Sequence, residues 1–191
     1  MSVTDELRTE HRAIERMLAV LEAVAHRLEQ GERVRPDVFR QGVDFVRNFA
    51  DRCHHAKEEE NLFPRMEARG VPRQGGPLGV MLFEHDEGRA FVGAIAGAID
   101  AYEADGRSAA LTIAENARGY VDLLRGHIMK EDNVLFPIAD RVLSPADQTE
   151  LERRFEQIES ERMGPGVHER YHHLLDELER EMGLVENHPA G

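Results

Sequence analysis

Hydrophobic residues recur along this chain every three or four positions, a spacing that predicts amphipathic α-helices along most of its length. The first predicted helix runs from about Asp5 to Glu29, with Thr4 as its N-cap and Gly31 just beyond its end. Runs of alternating β-branched residues, which are typical of strands, do not occur. The pattern therefore predicts an all-α protein.

Three more long helices and two shorter ones follow from the same pattern. The predicted spans are 36–69, 78–104 and 108–141 for the long helices and, after an N-cap at Ser144, 145–162 and 168–182 for the short ones. Pro64 should kink or shorten the second helix, and Pro137 stands at the matching place in the fourth. Long helices with short connections predict an antiparallel up-down-up-down four-helix bundle with additional C-terminal helices. We expect residues 1–143 to form this bundle and residues 144–191 a helical appendage packed on it.

A segment of the second long helix returns in the fourth. Residues 54–64 are repeated as residues 127–137, a shift of 73 positions. Both copies keep a His, a Lys three positions later, a Glu four positions later and a Leu-Phe-Pro ending. Positions four apart on an α-helix share one face, so each copy directs an imidazole and a carboxylate to a single point. A helix chelates a transition metal in this way.

Each of the four long helices carries at least one candidate metal ligand. The candidates are His11, His54 with Glu58, His85, and His127 with Glu131. His11 and His85 lie early in their helices while His54 and His127 lie late, so in an antiparallel bundle all of them reach one level. Four imidazoles and two carboxylates suit two metal ions bridged by the carboxylates. Nitrogen and oxygen ligands without sulfur favour iron or manganese over structural zinc.

Helix two contains two His-Glu pairs that could supply the metal ligands. His55 also has a Glu four positions later, Glu59. The repeat aligns His54, and not His55, with His127. The sequence therefore favours His54 with Glu58 as ligands and gives His55 a packing role beside them.

Similar competition arises in helices four and one. Asp132 follows Glu131 directly, but the repeat favours Glu131 as the ligand. Glu15, four positions after His11, is a further candidate, and a salt bridge on the helix surface is the simpler interpretation. The sequence leaves both alternatives open.

Segments 10–15, 54–64, 84–89 and 127–137 together resemble the hemerythrin-like family of HHE cation-binding domains, over about residues 10–141. The resemblance implies a non-haem di-iron site, with manganese or zinc as substitutes, in which His11, His54, His85 and His127 are terminal ligands and Glu58 and Glu131 bridge the irons. It implies a protein that senses or handles dioxygen, peroxide or nitric oxide, with a redox partner. The alternatives are a di-iron enzyme that reduces nitric oxide or peroxide or oxidises iron, and iron storage or delivery.

One departure from the oxygen-carrying members concerns helix three. In the family pattern of the oxygen carriers, a second His follows the helix-three His by four residues. In this chain that position is Arg89. A guanidinium is a poor ligand for a cation. The resemblance therefore implies one imidazole fewer and an open coordination position, and we expect Arg89 to pair with an acid such as Glu84 or Asp86.

Composition narrows the partners and the compartment. The formal net charge of −13 argues against a nucleic-acid partner and against an anionic membrane surface. No apolar run approaches the ~20 residues of a membrane span, and residues 1–10 are polar and acidic, unlike a signal peptide. We therefore expect a cytoplasmic protein. Cys53 is the only cysteine, which excludes an intramolecular disulfide, and we expect it to pack in the core.

Overall fold

The computed structural model describes residues 2–104 and 106–185, which fold into helices without a strand. Helix one is α1 (Val3–Glu29), and helix two runs through α2 (Pro36–Phe45), the π-helical segments π1 (Val46–His55) and π2 (Glu58–Leu62), and α3 (Phe63–Ala68). Helix three is α4 (Pro77–Glu103), and helix four runs through α5 (Arg107–Lys130), π3 (Glu131–Leu135) and α6 (Phe136–Val142). The C-terminal helices are α7 (Pro145–Ile158), π4 (Glu159–Met163) and α8 (Val167–Met182). The predicted all-α class is confirmed.

The four long helices pack around a common centre. α5 packs against both α1 and α4, α2 packs against α4, and π1 contacts α1. Each long helix therefore has two of the others as neighbours, an arrangement consistent with the predicted antiparallel bundle. Among the described helices, none combines the length and the apolar composition that a membrane crossing needs.

The helix starts show one error in the sequence prediction. Ser2, not Thr4, is the N-cap of α1, because its hydroxyl accepts a hydrogen bond from the Asp5 N–H while the Asp5 carboxylate accepts one from the Ser2 N–H. This reciprocal capping box needs an acidic residue three positions after the cap, which Ser2 has. Thr4 lies buried in the first turn. Ser144 caps α7 as predicted, with Asp147 in the reciprocal role.

The repeated Leu-Phe-Pro ending marks the change from π to α geometry in helices two and four. The N–H of Phe63 donates to the carbonyl of Glu58, five residues earlier, and the N–H of Phe136 donates to that of Glu131. The proline that follows each Phe has no N–H, and in a regular α-helix its ring would clash with the carbonyl four residues earlier. A wider turn accommodates the ring. Both helices therefore continue past their prolines.

Two apolar cores lie on either side of the candidate ligands. On α1, Leu7 belongs to the smaller core and Ile14 to the larger one, and His11 lies between them. On helix four, Leu124 of the larger core and Leu135 of the smaller core flank the candidate ligands in the same way. The cores therefore shield this polar level from water on both sides.

The C-terminal helices contribute to both cores. Leu151 and Phe155 of α7 lie in the smaller core, while Tyr171 and Leu175 of α8 lie in the larger one. α8 packs against α1 and α2. The domain boundary after residue 143 stays a prediction, and the last residues of the predicted appendage, 186–191, lie outside the described residues.

Candidate metal centre

Side chains of all four long helices converge into two groups of potential metal ligands. Cluster one consists of His11, His54, Glu58 and Glu131, and cluster two of His55, Glu58, His85 and His127. Within each cluster the candidate ligand atoms lie within 4.8 Å of one another, and every residue is buried. The structure thus brings all the predicted ligands together and adds His55 to them.

Glu58 and Glu131 each turn one oxygen toward each cluster. Oε1 of Glu58 lies 3.7 Å from Nε2 of His54, and its Oε2 lies 3.5 Å from Nε2 of His85. Oε2 of Glu131 lies 3.2 Å from Nε2 of His11, and its Oε1 lies 3.2 Å from Nε2 of the His four positions earlier. Both carboxylates are therefore oriented as bridges between two neighbouring positions.

Several of these atoms have no hydrogen-bond partner among the described residues. They are both carboxylate oxygens of Glu58, both of Glu131, and Nε2 of His11, all of them buried. Buried polar atoms are nearly always hydrogen-bonded, and a group of unpaired ones calls for an ion or water. Imidazole nitrogen and carboxylate oxygen are ligands that iron and manganese accept. The converging atoms therefore fit a pair of such ions.

A second layer of carboxylates holds the imidazole rings from behind. Each ring has a carboxylate oxygen within 2.8 Å of its Nδ1 atom. The pairs are His11 with Asp132 (2.8 Å), His54 with Glu10 (2.7 Å), His85 with Glu59 (2.7 Å) and His127 with Glu84 (2.8 Å). A carboxylate in this place accepts the Nδ1 proton and leaves the Nε2 lone pair for a metal. Asp132 and Glu59, the alternatives to Glu131 and Glu58, therefore lie behind histidines.

A third layer of cations balances these outer carboxylates. Lys57 and Arg89 donate to Glu10 and Glu59, both at 2.6 Å, and Arg12 and Lys130 donate to Asp132 and Glu84. The two halves of the bundle correspond. Glu10, which precedes the His of helix one, contacts the His of helix two, and Glu84, which precedes the His of helix three, contacts the His of helix four. The lysine kept in both copies of the repeat therefore holds this Glu. That lysine and the two Glu-His pairs were visible in the sequence, but their pairing was not predicted.

His55 is the residue that the structure adds to the predicted ligands. Its ring stacks on that of His85, with centroids 3.8 Å apart, and it lies in cluster two. Consecutive residues both face the interior here because they lie at the end of π1, whose turns are wider than those of an α-helix. His54 serves cluster one and His55 serves cluster two.

Arg89 lies outside both clusters. Its exposed guanidinium pairs with Asp86 at 2.8 Å and with Asp51 and Glu59 at 2.7 and 2.6 Å. The expected pairing with Asp86 is present, whereas Glu84 contacts other residues. His55 brings a fifth imidazole to the clusters, and the lower imidazole count that the resemblance implied stays a prediction.

The charges of the metal-free centre favour proton uptake. Burial raises the pKa of Glu58 well above its usual value, and the neighbouring Glu131 raises it further. Burial also acts to raise the pKa of Glu131, but His127 and His11 hold it well below the usual value. Burial acts to lower the pKa of His127, but Glu131 and Glu84 raise it to about 9. Protons therefore occupy places where metal ions would bind.

Two further residues considered in the sequence, Glu15 and Cys53, have structural roles. Glu15 pairs with Arg12 at 2.9 Å, and its side chain is 41% exposed, as expected for a surface salt bridge. Cys53 is buried, and burial raises the pKa of its thiol to about 12. Its thiol therefore stays protonated and packs as a small apolar side chain.

A cavity of about 580 Å³ lies between helix two and α4 beside cluster two. His55, His85 and the exposed Arg89 line it. Tyr120 also lines it, and its buried hydroxyl has no hydrogen-bond partner among the described residues. The cavity therefore borders two side chains of cluster two.

Comparison with known proteins assigns the chain to a family. Residues 2–139 match the hemerythrin HHE cation binding domain, so the chain belongs to the hemerythrin HHE family and the predicted resemblance is confirmed. Among curated proteins it is similar to uncharacterized proteins of Mycobacterium tuberculosis and Mycobacterium bovis. Each is 23% identical to it over 186 residues, which cover 97% of this chain and 72% of the relative. No solved structure matches the chain.

Proposed function

We propose that this chain is a non-haem di-iron protein that senses or handles dioxygen, peroxide or nitric oxide. Membership of the HHE family makes metal binding its expected property, and the buried His and Glu clusters are suited to hold the metal. Iron, the number of ions and the small ligand are the proposed refinements.

The ligand set divides between two ions. His11 and His54 would hold the first, His55, His85 and His127 the second, and Glu58 and Glu131 would bridge them. The observation that carries the proposal is the placement of the two glutamates. Each has two buried oxygens without a hydrogen-bond partner among the described residues, and it turns one of them to each cluster. Two buried carboxylates without hydrogen-bond partners are costly to the fold unless a cation or protons neutralise them.

The side chains around the clusters have separate tasks. The outer carboxylates fix the tautomer and the orientation of the rings, and the two apolar cores exclude bulk water. A pair of bound irons would supply redox chemistry and would bind the small ligand. The cavity beside His55 and His85 would give that ligand a way in.

A di-iron enzyme that reduces nitric oxide or peroxide is the second candidate. At about 580 Å³ the cavity is larger than a diatomic molecule or peroxide requires, and it falls in the range of sites that bind small organic molecules. A co-substrate would therefore have room beside cluster two. Sustained turnover with an added electron donor would favour the enzyme over the sensor.

Metal analysis and spectroscopy test the proposal. Protein from iron-replete cells, purified without air, should contain about two irons per chain, and its spectrum should change on exposure to dioxygen or nitric oxide. Glu58→Ala or Glu131→Ala should lose at least one iron, whereas Glu59→Ala and Asp132→Ala should be milder. Protein that holds zinc alone, or a single ion, would contradict the dinuclear centre.

A further inference from the structure

The two repeated lysines occupy unequal surroundings. The side chain of Lys57 is 0% exposed, and its Nζ donates to Glu6 and Glu10 at 2.6 Å and to Glu159 at 2.7 Å. The side chain of Lys130 is 38% exposed and donates to Glu84 alone among the described residues. The repeat therefore places equivalent cations behind the two clusters, but Lys57 is buried and contacts two additional carboxylates.

Glu159 comes from outside the family domain. It begins π4 in the C-terminal helices, beyond the residues 2–139 that match the HHE domain. From Glu159 a continuous path of short contacts reaches cluster one. Lys57 joins Glu159 to Oε1 of Glu10, and Oε2 of Glu10 lies 2.7 Å from Nδ1 of His54. Lys57, Glu10 and His54 are all buried, so their interactions are weakly screened by solvent.

We infer that Glu159 is a positioning residue of the metal centre and that it strengthens metal binding at cluster one. The inference rests on the proposed function. By sharing the Lys57 ammonium, Glu159 leaves Glu10 a stronger acceptor for the Nδ1 proton of His54. A more strongly held Nδ1 proton makes the Nε2 lone pair more basic toward a metal.

The same acids also form a possible third metal site, which the structure argues against. Ligand atoms of Glu10, Glu159 and His168 lie within 4.8 Å of one another. However, Nζ of Lys57 already contacts Glu10 and Glu159 at 2.6 and 2.7 Å. The ammonium therefore provides the cation for this group.

Glu159→Gln removes the charge and keeps the shape of the side chain. Lys57 would then draw more strongly on Glu10, and the hydrogen bond from His54 to Glu10 would weaken. Loss of a direct partner of a metal-bound His costs about 10–100-fold in metal affinity, so for Glu159, two contacts further away, we expect about 3–10-fold at cluster one. The affinity of cluster two should stay within about twofold of wild type, because its outer carboxylates have cations of their own.

Competition between the protein and a chromophoric chelator for Co²⁺ measures both affinities. The variant His85→Ala identifies which of the two dissociation constants belongs to cluster two. Glu179→Gln is the matched control, since Glu179 also lies in the C-terminal helices and its carboxylate pairs with Arg16 of α1 at 2.6 Å, away from the clusters. Glu159→Asp keeps the charge with a shorter reach and should fall between wild type and Glu159→Gln.

The expected result is a weaker cluster-one constant in Glu159→Gln with both constants unchanged in Glu179→Gln. Two bound ions with wild-type constants in Glu159→Gln would overturn this inference and leave the proposed function intact. Failure of the wild type to bind two ions would overturn the proposed function itself. Equal weakening of both sites, together with a lower unfolding midpoint of the metal-free variant, would make Glu159 a general structural contact and overturn the inference. If Glu159→Gln does not fold, an unchanged cluster-one constant in Glu159→Asp would overturn it.

Discussion

Glu58 offers the sharpest test of the idea that the centre is built for metal at the expense of stability. Its side chain is fully buried, and both of its oxygens lack a hydrogen-bond partner among the described residues. In the metal-free protein such a group destabilises the fold. We predict that Glu58→Leu stabilises the metal-free protein and destabilises the protein in the presence of metal, relative to wild type.

The size of both effects follows from the environment of Glu58. An unsatisfied buried polar group costs about 1–3 kcal/mol of folding free energy. Burial and the neighbouring Glu131 raise the pKa of Glu58, which favours its protonated form and lowers this cost. We therefore expect metal-free Glu58→Leu to gain about 1–2 kcal/mol in the free energy of unfolding. Metal at a thousandfold excess over its dissociation constant stabilises wild type by about 4 kcal/mol, most of which the variant loses.

Urea unfolding followed by circular dichroism measures both quantities. Each protein is unfolded once with a chelator and once with excess Co²⁺ or anaerobic Fe²⁺, and the free energies of unfolding are compared. The order of stability of the two proteins should reverse between the two conditions. Metal-free Glu58→Leu that is less stable than metal-free wild type would refute the reasoning.

Glu59→Leu is the control for the substitution itself. The Glu59 carboxylate is hydrogen-bonded, to His85 at 2.7 Å and to Arg89 at 2.6 Å. Its loss should destabilise the metal-free protein by about 1–2 kcal/mol, opposite in sign to Glu58→Leu. Equal effects of the two substitutions would show that burial of a larger apolar side chain, and not the removal of an unpaired carboxylate, sets the stability.

Three further predictions follow from the centre and its surroundings. Metal binding at pH 7 should release protons and the affinity should rise from pH 6 toward about 9, because His127 (pKa about 9) and Glu58 (pKa raised) bind protons when no metal is present. Calorimetric titrations in buffers of different ionisation enthalpy count these protons, and an affinity independent of pH would contradict the prediction. His55→Ala should lower the affinity for one ion at least tenfold, on the scale of a lost ligand, whereas Arg89→Ala, at an exposed position, should have a smaller effect. Chelator competition measures both affinities. An unchanged affinity in His55→Ala would remove His55 from the ligand set. Ser144→Ala should lower the free energy of unfolding by about 1 kcal/mol through loss of the α7 cap, with metal content unchanged, and chemical denaturation alongside metal analysis checks both.

The helices and the core of the site could be predicted from the sequence because they depend on local spacing. The three- and four-residue recurrence of apolar positions predicted the long helices to within a few residues of their observed ends. The His and Glu four positions apart in each repeat pointed to a shared face. His11 lies near the start of its helix and His54 near the end of its helix. In an antiparallel bundle the start of one helix lies beside the end of the next, so the sequence predicted that both side chains reach one level.

Tertiary structure decided the features that depend on long-range contacts or on a change of helix geometry. His55 enters cluster two because π1 widens the turn that carries it, and a regular α-helical register does not anticipate this. Lys57 meets Glu159 across 102 positions of sequence, in a C-terminal segment that carries no motif of the site. Nothing local to Glu159 distinguishes it from the many other surface acids of a chain with a net charge of −13. An ion pair between distant segments exists only once hydrophobic packing has brought both helices together, so its partners are determined by the fold and not by spacing along the chain.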